Sequence, residues 1–180
     1  MLDQEEIVAA LQASQNNLNA FLPVYEHYVD RIYSYCLYRV HSAQDAEDLT
    51  SQIFARAMDR CHTYKGGNVG AWLFRIAYHI TIDHFRAKHP VSLSDDVLIT
   101  LPDGQQKSPL DHVIHDEQIK TLYHLLNQLE DDKRNLLLLR ITGNLSAADV
   151  GAIVGKSAGA VRVEIHRIVQ SLKQLAQELP

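Results

Sequence analysis

The sequence predicts an all-α chain of two helical domains joined by a flexible acidic linker. Three observations carry that expectation. Apolar residues recur at three- and four-residue steps through most of the first 88 positions and again beyond about position 111. From His89 to about Leu110 the periodicity fails, and Pro90, Pro102, Gly104 and Pro109 gather with Ser92, Ser94, Asp95, Asp96 and Asp103. Near the C-terminus two helix starts, at Ser146 and Ser157, flank a helix stop at Gly155. The expected units are therefore 1–89, a linker at 90–110, and 111–180.

Charge narrows the class. The net charge of −5 over 180 residues conceals two basic islands. Residues 1–50 hold eight acids and two bases, 55–88 six bases and two acids. Residues 91–132 hold nine acids and two bases, and 133–173 seven bases and two acids. Two cationic islands on one short chain suggest contact with a polyanion at two places. The apolar and charged shares, 46% and 22%, are those of a soluble globular protein. Cys36 and Cys61 lie inside helical patterns without CxxC or CxxH partners, which reads as buried thiols in a reduced, cytoplasmic compartment. No apolar run reaches the ~18 residues of a membrane span, and the acidic N-terminus is unlike a signal peptide, so no membrane insertion is expected.

Residues 3–20 read as a polar amphipathic helix with Ile7, Val8, Leu11 and Leu18 inward. Pro23 opens a longer helix through Val40, with Tyr25, Tyr28, Ile32, Tyr35 and Cys36 on one side. Arg31 and Arg39 are expected as surface pairs. A third helix starts at the N-cap Ser42, with Asp45, Glu47 and Asp48 near the positive end of its dipole. Ala46, Leu49, Ile53 and Ala57 form its inner stripe, leaving Asp48, Ser51 and Gln52 outside. The loop at 62–70 carries Tyr64, Lys65 and Asn68 among Gly66, Gly67 and Gly70, which allows unusual backbone angles and close approach of a ligand. It matches neither GxxxxGK[ST] nor GxGxxG. A fourth helix, from near Ala71, is apolar in nearly every direction except one narrow stripe of Arg75, His79, Asp83 and Arg86.

The second unit reads as helices at roughly 111–129 and 132–142, closed by Gly143 and Asn144. Ser146 and Asp149 form a capping-box-like pair for a short helix ending at Gly155. Ser157 caps the last helix, whose inner stripe is Val161, Ile165, Ile168, Val169, Leu172 and Leu175. Two capped helices around a short glycine turn make a helix-turn-helix, with Gly151 at the small position where its helices cross. Such a unit offers the N-terminal half of its second helix to the major groove. Gly159, Val163, His166, Arg167 and Gln170 lie opposite the inner stripe, with Arg162 and Glu164 on its flanks.

The ordered motifs DAEDL…F…RA, AWLFRIA and IDHFR resemble region 2 of the extracytoplasmic-function (ECF) group of bacterial RNA polymerase sigma factors. GNLSAADVGAIVGKSAGAVRVEIHRIVQSLKQL resembles region 4 of the same family. The resemblance covers roughly residues 20–88 and 112–175. It implies a region 2 bundle that binds core polymerase and the downstream (−10) promoter element, and a region 4 helix-turn-helix that reads the upstream (−35) element. Asp45, Glu47, Asp48, Ser51 and Gln52 would then meet the clamp of the polymerase's largest subunit, with the flap of the second largest as a further partner. Tyr64, Lys65, Asn68, Arg75, His79 and Arg86 would meet the downstream element. Ser157, Gly159, Arg162, Val163, His166 and Arg167 would meet the upstream one. The resemblance also implies an anti-sigma partner.

Two positions depart from the family pattern. His79 stands where an amide is frequent, and Glu164 where a base is usual; the latter would weaken phosphate attraction or accept from a cytosine. No enzyme, metal or cofactor is expected. His79, His84 and His89 are five apart, so each is turned by about 140° from the last on a helix and they do not converge on one ion. No nucleophile or paired-carboxylate arrangement accompanies them.

Overall fold

The computed structural model describes residues 4–88 and 117–178. Among them are eight α-helices and no strand: α1 (Gln4–Ser14), α2 (Leu22–Val40), α3 (Ala43–Asp59), α4 (Val69–Lys88), α5 (Glu117–Asn127), α6 (Asp131–Ile141), α7 (Ala147–Val154) and α8 (Ala158–Glu178). The expected acidic linker at 90–110, His89, and the start of the helix expected from 111 lie outside the described residues.

In the N-terminal half α2, α3 and α4 pack on one another with α1 laid across them. Their core is Ile7, Leu11, Val24, Tyr28, Ile32, Tyr35, Leu49, Ile53, Leu73 and Phe74, each at most 2% exposed. The Ser42 hydroxyl accepts from the Asp45 N–H and starts α3 as its sequence predicts. Pro23 sits in the first turn of α2, where its missing N–H has no helical partner to lose. Two details of the sequence reading change. The helix expected over 3–20 ends at Ser14, and a 3-10 turn over Leu18–Phe21 leads into α2. Leu18 and Tyr25 face outward, at 56% and 42% exposure, where the sequence pattern puts both inside.

In the C-terminal half α7 and α8 pack together, and α6 lies against both. The capping box at Ser146 and Asp149 is complete in both directions. Gly155 ends α7 at φ 73, the left-handed region that glycine adopts without a Cβ penalty. Gly151 faces the turn itself: a Cβ there would stand 2.4 Å from the Lys156 carbonyl oxygen. Arg134 is 5% exposed and donates to the carbonyls of Leu126 (2.9 Å), Asn127 (3.3 Å) and Leu129 (3.1 Å). It thereby satisfies the last turn of α5, where a cation also complements the helix dipole.

Candidate nucleic-acid and polymerase interfaces

On α4 the core side takes Leu73, Phe74, Ala77 and Thr81, while Arg75, His79, Asp83 and Arg86 are exposed. The narrow polar stripe therefore lies outside the core, flanked by the half-buried Trp72, Ile76 and Ile82, and Arg75 on it donates from Nη2 to the Ala152 carbonyl of α7 at 3.3 Å. The preceding loop is shaped by Gly66 (φ 102) and Gly67 (φ 95), both in the left-handed region. Lys65 and Asn68 are exposed on it. Asn68 also accepts the Ala71 N–H at 3.3 Å, which starts the helix. Tyr64 departs from the expected set. It is 5% exposed, its hydroxyl donates to the Gly67 carbonyl at 2.7 Å, and its ring meets Trp72 edge-on at 5.9 Å. The side chain supports the loop from beneath, and its ring is not at the surface. Apolar burial of a ring behind two glycines leaves no trace in local spacing, which is why sequence reading put it outside.

On α3 Glu47, Asp48, Ser51 and Gln52 are exposed, and Asp45 is half-buried. The Ser51 hydroxyl donates to the Glu47 carbonyl at 3.0 Å, so the side chain lies back along its own helix. Beside the C-terminal end of α3, Tyr25 stacks edge-on against Phe54 at 4.8 Å. Leu18 and Leu22, at 56% and 57% exposure, are two further apolar side chains on the surface of the same half. The four-residue step from Leu18 to Leu22, across the break before Pro23, is the local signal for these two side chains.

At the other end of the chain Ser157, Gly159, Arg162, Val163, His166 and Arg167 are all exposed on the first turns of α8. The Ser157 hydroxyl accepts from the Ala160 N–H at 3.2 Å. Val161 and Ile168, on the opposite side, are buried. Glu164 is not free: its carboxylate lies 2.6 Å from the Lys156 ammonium, across the turn.

Arg31 and Arg39 are corrections. Both were expected as surface pairs on α2. Arg39 is 2% exposed and pairs with Asp131 at 3.1 Å, its guanidinium 4.7 Å from the Phe85 ring centroid. Arg31 donates to the carbonyls of Thr142 and Gly143. Their partners lie 92 to 112 residues away in sequence, beyond the reach of any local pattern.

Two family models match the chain: sigma-70 region 2 over residues 24–90, and sigma-70 region 4 over residues 119–172. The ECF RNA polymerase sigma factor BldN of Streptomyces coelicolor is 32% identical over 94% of this chain. The chain spans 64% of that relative's length. The ECF RNA polymerase sigma factor SigW of Bacillus subtilis is 28% identical over 93% of this chain and 95% of its own. Among solved structures, CnrH in complex with the cytosolic domain of CnrY superposes with a TM-score of 0.71 at 19% identity, over 99% of this chain and 100% of that one. The sigma factor RpoE of Bartonella quintana, solved with the anti-sigma factor NepR, gives 0.67 at 19% identity, over 87% and 96%. The chain belongs to the sigma-70 family, in its ECF group, a family of transcription initiation factors that are not enzymes. No helix among the described residues is long and apolar enough to cross a membrane.

Proposed function

We propose that this chain is a dissociable promoter-specificity subunit of RNA polymerase, working in the cytoplasm as two DNA-reading units, 1–89 and 111–180, tied by residues 90–110. The observation that carries this reading is the pairing of two exposed cationic surfaces, one on each unit, on the helices that the two family matches cover. On α8 a groove-facing side of Arg162, Val163, His166 and Arg167 combines arginines suited to guanine's two acceptors with an apolar side chain that can meet a thymine methyl. Ser157 and Gly159 leave the helix start open to a phosphate. On α4 the stripe Arg75, His79, Arg86, with Lys65 and Asn68 on the loop, is shaped for a single strand. Cations follow the backbone, and the half-buried Trp72 borders them with an aromatic edge. Tyr64 holds the loop in place.

The outer face of α3, with Glu47, Asp48, Ser51 and Gln52 exposed and Asp45 half-buried at its start, takes the clamp of the largest polymerase subunit, and region 4 takes the flap of the second largest. Exposed Leu18, Leu22 and Tyr25 add apolar area to the same half. An anti-sigma factor is the expected regulator. Reconstitution with core polymerase tests the whole reading. The holoenzyme should start transcripts at a defined set of sites in a genomic library, and core alone should not. His79→Ala should slow the appearance of permanganate-reactive thymines at such a site while leaving core affinity unchanged. Start sites indistinguishable with and without this chain would remove the proposal.

A further inference from the structure

Helix α1 holds the glycine loop at 62–70 at both of that loop's ends. Its C-terminal end meets the 3-10 turn Cys61–Thr63, where the loop begins. The Ser14 carbonyl, among the last of the helix and so without a helical partner, accepts from the Cys61 thiol at 3.6 Å. Gln15, one residue on, donates from Nε2 to the Tyr64 carbonyl at 3.5 Å. The N-terminal end of α1 reaches the far side of the loop through Tyr28 of α2, whose hydroxyl bonds the Gln4 side chain and the Gly70 backbone. The fit there is close: a Cβ on Gly70 would stand 3.3 Å from the Tyr28 hydroxyl oxygen. Between its ends the helix is fixed to the core by Ile7 and Leu11, both fully buried.

We infer that α1 is a brace for this loop, and that Gln15 and Tyr28 are positioning residues for the reading of the downstream strand. This rests on the reading of the loop and the α4 stripe as the strand-binding surface. Lys65 and Asn68 are the exposed polar side chains between Tyr64 and Gly70. They stand on either side of Gly66 and Gly67, whose φ angles of 102 and 95 lie where glycine moves most freely. Two such residues open many shapes to the segment, and its anchors choose among them. Tyr64 is the front anchor, with its hydroxyl on the Gly67 carbonyl at 2.7 Å. Gly70 is the rear one. Helix α1 holds the first through Gln15 and the second through Tyr28, so a core helix sets the span that the loop must bridge.

Each tie is modest, and its placement gives it effect. A thiol is a weak donor, and the Gln15 bond at 3.5 Å is long, so neither adds much to the stability of the bundle. Apolar burial of Ile7 and Leu11 already keeps α1 in place. What the polar ties fix is where Tyr64 and Gly70 stand, and a displacement of about 1 Å is enough to degrade a recognition geometry. Burial pushes the Tyr28 and Tyr64 hydroxyls above the ordinary tyrosine range, so both keep their protons and remain able to donate.

Trp72, the single tryptophan of the chain, reports on the loop: its Nε1 donates to the Thr63 hydroxyl at 3.5 Å, and its ring lies 5.9 Å from that of Tyr64. Gln15→Ala and Tyr28→Phe each remove one tie, the first at an exposed side chain and the second with the ring kept. In the free chain, acrylamide quenching of Trp72 should rise in both variants, while the unfolding midpoint of Gln15→Ala stays that of the wild type. Each variant is then assembled with core polymerase on a promoter mapped with this chain and on single-base variants of its downstream element. The ratio of initiation rates, matched over mismatched, should fall about two- to fivefold in Gln15→Ala, the range of one ordinary hydrogen bond, with core affinity unaltered. Gln15→Lys keeps a donor of similar reach and should restore the ratio, which uniform attraction of the added charge to phosphate cannot do. Unchanged quenching with an unchanged ratio overturns the brace. A fall in the ratio without a rise in quenching would make Gln15 a direct contact and overturns it equally. A rise in quenching with an unchanged ratio removes the role in strand reading. If the wild-type holoenzyme shows no preference among the downstream variants, the promoter reading of the loop falls and the positioning role with it, and the quenching arm separates that failure from a loop that α1 does not hold.

Discussion

Lys156 and Glu164 form an ion pair of 2.6 Å that ties the turn of the helix-turn-helix to the second turn of its reading helix. The pair is partly solvated, 39% and 27% exposed, so its contribution to stability is small. Its position matters more than its strength. A carboxylate beside Val163 and Arg167 would repel phosphate, and the pairing holds a lysine back that could otherwise reach one. Glu164→Gln should release the Lys156 ammonium and steepen the salt dependence of upstream-element binding by about one ion, the slope of one added phosphate contact. Base preference should not change. Filter binding across a salt series checks the slope; relaxed preference at a single C·G pair would instead make Glu164 a base reader.

Arg167 is exposed on the same face and free of that pair. If it takes the two acceptors of a guanine, Arg167→Ala should cost about 1–3 kcal/mol and relax preference at one upstream position. Competition binding against a panel of single-base upstream variants checks it. Uniform weakening across the panel, with a slope lower by about one, would assign Arg167 to phosphate.

Gly151 carries a structural expectation. A methyl at this site would lie 2.4 Å from the Lys156 carbonyl oxygen, which is backbone and cannot swing away. Gly151→Ala should therefore push α7 from the turn and cost about 1–3 kcal/mol, despite alanine's better helix propensity. Chemical denaturation of the full chain measures this, and upstream-element binding should weaken with it. A stability equal to wild type would mean the turn absorbs the methyl.

The face of α3 gives a separable test. Asp48 and Gln52 are exposed and off the buried stripe of Ala46, Leu49 and Ile53. Asp48→Arg with Gln52→Arg should keep native helicity and unfolding midpoint while abolishing association with core polymerase. Gel filtration of the mixed proteins reads this directly, and co-elution of the folded double variant with core would move the docking face elsewhere.

What could be read from the sequence was what lies within a few residues of itself. Ser42 with Asp45, and Ser146 with Asp149, are partners three apart, and each cap formed as its spacing implies. The exposed stripe on α4 followed from the angular step of a helix alone. The reading failed where tertiary contact decides. Arg31 and Arg39 look like any exposed cations on an amphipathic helix, since their partners, Thr142, Gly143 and Asp131, come from the other half of the chain. Tyr64 looked available because its loop is rich in glycine, whereas a tyrosine that can bond the Gly67 carbonyl from below is better buried. Arg134 as the cap of α5 was equally hidden. It serves a helix that ends before it, and its three carbonyl bonds depend on how the chain turns between them.

His41 makes the stability of the fold depend on pH. It ends α2 in the left-handed region at φ 56, half-buried, with its ring 6.1 Å from Tyr123 of α5. Burial, followed by the charges of Arg134 and Arg39, holds its imidazolium below the usual histidine range, and only Asp131 acts in the opposite direction. The group is therefore neutral in the fold at pH 7, and above its ordinary pKa of about 6.5 it has no effect on stability. Below that value His41 of the unfolded chain takes up a proton that the fold resists. Stability is lost as pH falls from about 6.5 toward the lowered folded-state pKa. Other histidines contribute to any acid response, so the comparison is with His41→Asn, which tolerates the left-handed backbone and cannot titrate. Between pH 7.5 and 5.5 the wild type should lose more denaturation free energy than His41→Asn. Parallel loss in both proteins would place the acid response elsewhere, and His41 would be only a helix terminator.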